Sequence, residues 1–219
     1  MSTEPGASPA PSEKDPAARP MLGGEEPVPA LDRRWPWVVS AGLVVLVGVL
    51  SATTGALVPF LWVLDFGVHE FGHLVTWWAP WRVTAFAGSF AQVAVPLALA
   101  IYFARRRHEL WAAAPLLAWA GASLRNVAVY IADAPYQRLE LWGGEGALHD
   151  WAQLLQGTPM RSAGALAWVA NALGWLAIAA ALAMALAPLV AQYRSAAKRA
   201  ADERREATLP IREPRGPVR

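Results

Sequence analysis

From Trp35 to Val190 the chain is a series of apolar runs, separated by short segments rich in Pro, Gly, Arg or Trp. A soluble amphipathic helix repeats its apolar positions every 3.6 residues and a half-buried strand every two; these runs are apolar on nearly every side. Each is roughly 20 residues long, enough helix to cross a hydrocarbon core about 30 Å thick. The pattern predicts an all-α, polytopic integral membrane protein with about five transmembrane helices, at about 36–54, 57–79, 84–104, 110–132 and 163–190, which make residues 35–190 the transmembrane domain. Thr84 to Ser89, rich in small side chains, would also suit a re-entrant turn. The last run passes into a charged helix that reaches Ala207 before Pro210 and Pro214 end it. Residues 1–34 are rich in Pro, Ala, Gly, Ser and Glu without hydrophobic period, so disorder is expected there, while 191–219 form a basic C-terminal tail.

Composition agrees with the pattern. Hydrophobic residues make up 55% of the chain and charged ones 16%, and several of the 12 tryptophans fall at the ends of apolar runs, where amphipathic rings settle at headgroup level. With no cysteine there is no disulfide framework, thiolate ligand or cysteine nucleophile. A net charge of +2, carried largely by the tails, gives no footing for nucleic acid; the partner it implies is the lipid bilayer. Arg105–Arg107 and the tail from Arg194 onward fall on one face, and the preference of basic residues for the cytoplasm puts the C-terminus inside. Five spans then put the N-terminus outside, against the pull of Arg33 and Arg34. Spans two and four end on the same face, so loop 133–160 emerges on the side of whatever chemistry the second span carries.

That chemistry is His69-Glu70-Phe71-Gly72-His73. Two histidines four apart share one face of a helix, one turn apart, and can ligate one metal ion. The glutamate after the first is placed to take a proton from the attacking water and pass it to the leaving amine. Zinc suits this donor set and keeps one coordination position open, so three protein ligands are expected. On a helical wheel Asp65, His69, Glu70, His73 and Thr76 occupy one arc of roughly 140°. Asp65, one turn before His69, is expected to accept that ring's second N–H. Gly72 borders the arc and admits a close neighbour. Ionisable groups in a membrane span are costly, on the order of 2.5–3.5 kcal/mol each at the centre, which favours a functional reading of the motif over an inert polar face.

A motif of this kind in a membrane helix of a small polytopic protein resembles the site-2 protease group of intramembrane zinc metalloproteases, the M50 peptidases. The resemblance implies peptide hydrolysis within the bilayer, a membrane-protein or peptide substrate, Zn2+ held by His69 and His73, Glu70 as base and a distal aspartate as third ligand. The later Asn-Pro-Asp-Gly or Leu-Asp-Gly motif of that family is absent. The replacement expected is Asp150 or His149, which follow Gly143, Gly144 and Gly146 and open a short helical run. Asp133 is the reserve.

Asn126, Tyr130 and Asp133 share a face of the fourth span, where Asn126 is a candidate to hold substrate backbone or an oxyanion. Arg125 points off that face toward a carboxylate or a headgroup. Gln92 and Asn171 are expected to be interhelical glue. Two other functions fit the same residues: a metal-dependent membrane hydrolase of a non-peptide substrate, and a non-catalytic metal-binding membrane protein.

Overall fold

The computed structural model describes residues 34–141 and 148–208. The tail expected to be disordered (apart from Arg34), the glycines at 143, 144 and 146, and the chain beyond 208 lie outside the described residues. Among those described there are six helices and no strand: α1 Trp35–Thr53, α2 Leu61–Val75, α3 Trp81–Arg105, α4 Leu110–Asp133, α5 Asp150–Leu154 and α6 Met160–Ala207. Three of them, α1, α3 and α6, are long and apolar enough to cross a membrane. The run Thr84 to Ser89 is regular helix inside α3, so no turn forms there.

Large apolar side chains face outward and small ones inward. Leu43, Leu46, Val49, Phe90, Trp168 and Leu176 are exposed, while the interior is built from Ala113, Ala114, Ala118, Ala181 and Ala185. Water would drive the reverse distribution; in lipid, helices gain by close backbone approach through small residues. The α4–α6 crossing shows how close. A methyl group on Gly121 would come within 2.7 Å of the Gly174 carbonyl oxygen, and one on Gly174 within 2.7 Å of that of Gly121.

Helix directions differ from five alternating spans. Val44 clusters with Ala114 and Ala118, and Ser51, further along α1, bonds Arg125, further along α4, so α1 and α4 are parallel. α2 is parallel to α4 as well: Asp65 meets Trp119 and Ser123, and His69 lies beside Tyr130. Two consecutive helices that point the same way require the chain to double back between them. Residues 54–60 make that reversal, with left-handed φ at Gly55 (62°), Ala56 (72°) and Phe60 (67°). Its polar groups are satisfied locally, as an apolar surrounding demands: Ala56 N–H donates to Ser51 O at 3.1 Å, and Thr54 Oγ1 lies 2.7 Å from both Leu50 O and Leu57 O. α2 is therefore shorter than the expected run 57–79. Its 15 residues extend about 22 Å, below the thickness of a hydrocarbon core.

The reversal corrects the expected sidedness. The start of α1, the α3–α4 turn and the charged end of α6 lie at one end of the bundle, and the segments 134–141 and 148–159 at the other. Arg34 thus shares an end with Arg105–Arg107 and Arg194, and the conflict posed by alternating spans disappears.

The glycine crossing gives a direct test. Gly121→Val should lower stability in detergent by about 1–3 kcal/mol, because the added group meets the Gly174 carbonyl as well as the Ile178 side chain; reversible denaturation followed by circular dichroism measures it.

Candidate metal centre

α2 carries both histidines on the side packed against α3, and α3 fits because of two glycines. A methyl group on Gly72 would strike the Ala87 carbonyl, and one on Gly88 would sit 2.7 Å from His69 Nε2 and 2.6 Å from His73 Nε2. The backbone of α3 thus forms a wall against both imidazoles. It also holds one of them: His73 Nδ1 lies 2.8 Å from the Thr84 carbonyl oxygen. A carbonyl only accepts, so Nδ1 carries a proton, and in the neutral ring the lone pair lies on Nε2. His69 Nδ1 lies 3.3 Å from Gln92 Oε1.

Both Nε2 atoms meet Asp150. Its Oδ2 is 3.1 Å from His69 Nε2 and 3.3 Å from His73 Nε2. What brings it there is α5. Trp151 is buried in a cluster with Val127, Ile131 and Ala167, and its Nε1 donates to Ser89 Oγ at 3.0 Å. The Asp150 backbone N–H donates to Tyr130 Oη at 3.1 Å. Burial pushes the Asp150 carboxyl up, but the two imidazoles beside it outweigh that and hold it below its ordinary value.

His149, the other candidate, is turned away. It caps α5, with Nδ1 accepting the Ala152 N–H at 3.3 Å; its ring stacks on Tyr130 at 4.2 Å, and its Nε2 faces Asp133 Oδ2 at 3.4 Å. A ring that caps one helix and packs flat on a tyrosine cannot also reach the histidines. Asp133, the reserve, is occupied there and by the backbone N–H groups of Arg138 and Leu139.

Two further expectations are corrected. Asp65 does not touch His69: its Oδ1 accepts from Trp119 Nε1 at 2.8 Å and Ser123 Oγ at 2.7 Å, because the tilt of its side chain carries it toward α4. Arg125 has no carboxylate among the described residues; it donates to Asn171 Oδ1 and Ser51 Oγ and lies over the Trp175 ring. Gln92, Gly88 and the Thr84 carbonyl were not singled out as site groups, and only Gly88 carried a signal, as a glycine on the helix following the motif.

The donor set fits a small divalent cation. Tetrahedral zinc with bonds near 2.0 Å separates its ligand atoms by about 3.3 Å, which the nitrogen–oxygen distances around Asp150 match. Glu70 offers a further oxygen, so that His69, Glu70 and His73 present ligand atoms within 4.8 Å of one another. All four side chains line a cavity of about 970 Å³, together with Asn126, Trp62, Trp77, Trp81 and Leu148. The chain matches no protein-family model, no curated protein and no solved structure.

Gly88→Ala should abolish high-affinity zinc binding while leaving α3 helical, since its methyl would displace both ring nitrogens. Zinc content after dialysis, with helicity from circular dichroism, reads both effects.

Proposed function

We propose that this protein is an intramembrane zinc metalloprotease, similar in its catalytic helix to site-2 proteases, which hydrolyses peptide bonds in or near the bilayer. One observation carries the reading: two imidazole nitrogens and a carboxylate oxygen converge within 3.1–3.3 Å in an apolar surrounding, with the Glu70 carboxylate at the same cavity. Such a cluster of acceptors calls for a cation. His69, His73 and Asp150 would hold it. Zinc bound there supplies a Lewis acid that polarises a substrate carbonyl and makes water more acidic.

Glu70 faces the cavity and is the group free to move protons. It takes one from the attacking water and delivers it to the departing amine, so the peptide bond breaks to a carboxylate and an amine. Asn126 lines the same cavity, and its Oδ1 is engaged by Gln92 Nε2 at 2.9 Å. That contact leaves the Asn126 NH2 as the group able to donate to a substrate carbonyl.

The membrane arrangement that best suits these helices has α1, α3, α4 and α6 crossing, with α2 a half-length helix entered through the 54–60 reversal. Arg105–Arg107, Arg194, Lys198 and Arg199 gather at one end, against Arg82, Arg138 and Arg161 at the other, which puts the C-terminus and Arg34 in the cytoplasm. The cavity then opens toward the non-cytoplasmic interface, where Trp77, Trp78 and Trp81 are exposed at headgroup level.

Two measurements test this. Glu70→Gln should keep its zinc yet lose about 10²–10⁴ in peptide hydrolysis; equal hydrolysis by both proteins would reject the protease, and turnover of lipid instead of peptide would reassign the substrate. On this cysteine-free chain, Glu140→Cys should react with an impermeant maleimide in intact cells and Arg107→Cys only after permeabilisation; the opposite pattern would invert the orientation.

A further inference from the structure

A carboxamide is an ambiguous neighbour for a histidine, because it can present either its oxygen or its NH2. At Gln92 the surroundings remove the ambiguity. Asp65 Oδ1 is already engaged by Trp119 and Ser123. Gln92 Nε2 donates to Asn126 Oδ1 at 2.9 Å. With that acceptor on its NH2 side, the amide turns its oxygen to His69 Nδ1, 3.3 Å away. Gln92 is itself buried at 5% exposure.

We infer that Gln92 is the positioning residue of the metal centre: with its NH2 held by Asn126 it sets the His69 tautomer, with the proton on Nδ1 and the Nε2 lone pair left for the point where Asp150 and His73 converge. His73 receives the same instruction from a backbone carbonyl, that of Thr84, which no side-chain substitution can remove. The two rings are therefore oriented by unlike means, and only the His69 side is open to mutation. The same amide links three helices, since His69 lies on α2, Gln92 on α3 and Asn126 on α4. Metal affinity is thereby tied to the packing of all three.

This rests on the metal reading above, and the experiment separates the two. Zinc affinity of the full chain in detergent is measured by chelator competition, beside thermal unfolding of the metal-free protein. Wild type should bind one zinc ion per chain. Gln92→Met, close to the same size but without the amide, should bind about 10- to 100-fold more weakly. Gln92→Glu, which when protonated offers Asn126 Oδ1 an O–H and His69 a carbonyl oxygen, should stay within a few-fold of wild type. If Gln92→Met fails to fold, Gln92→Glu still decides: a loss as deep as that of His69→Ala would overturn the inference. Wild-type affinity in Gln92→Met with a lowered unfolding temperature would also overturn it, leaving Gln92 as interhelical glue. Absence of zinc from wild type would remove the metal reading itself.

Discussion

The approach of α3 to α2 is the constraint on which the site depends, and it rests on two hydrogen atoms. Gly72 and Gly88 present only hydrogen where any larger group would meet the Ala87 carbonyl or the two ring nitrogens. Because α3 comes that close, its Thr84 carbonyl reaches His73 and its Gln92 side chain reaches His69. Because both rings are held at Nδ1, both Nε2 atoms are left to meet Asp150. Asp150 then has somewhere to go. A gap of even a methyl group between the helices would leave the histidines free to rotate, and a flexible pair binds metal poorly.

Polar groups buried in such a surrounding are tolerated only when each finds a partner, since an unmet one costs free energy with no water to offset it. The interior is arranged accordingly. Asp65 is matched with an indole N–H and a hydroxyl, Arg125 with a hydroxyl, a carboxamide and an indole face, and the backbone of the 54–60 reversal with its own Thr54 and Ser51. Against that background, three acceptors facing one another at the candidate metal centre stand out. Their mutual repulsion is relieved by protons or by a cation, and the enzyme-like reading follows from preferring the cation.

Much of this was legible in the sequence, because it depends on local spacing. Continuous apolarity gave the helices and their membrane setting, α4 and α6 begin and end close to where breaker residues imply, and an i, i+4 histidine pair must share a face whatever surrounds it. Asp150 was legible only as one of two neighbours. Separating it from His149 needed the geometry of α5, whose first turn uses the His149 ring as a cap and leaves the next side chain to point inward.

Direction, partnership and depth were decided by the tertiary structure alone. Apolar runs look the same whether a helix runs up or down, so α1 and α2 could be seen to be parallel only through Ser51 on Arg125 and Asp65 on Ser123. A carboxylate one turn from a histidine looks like its natural partner, yet the side chain of Asp65 tilts toward α4, and a glutamine from α3 takes the place. Sequence spacing determines which residues share a face of one helix. It holds no information on which helix will face it, because that is settled by the summed packing of small residues across the whole bundle.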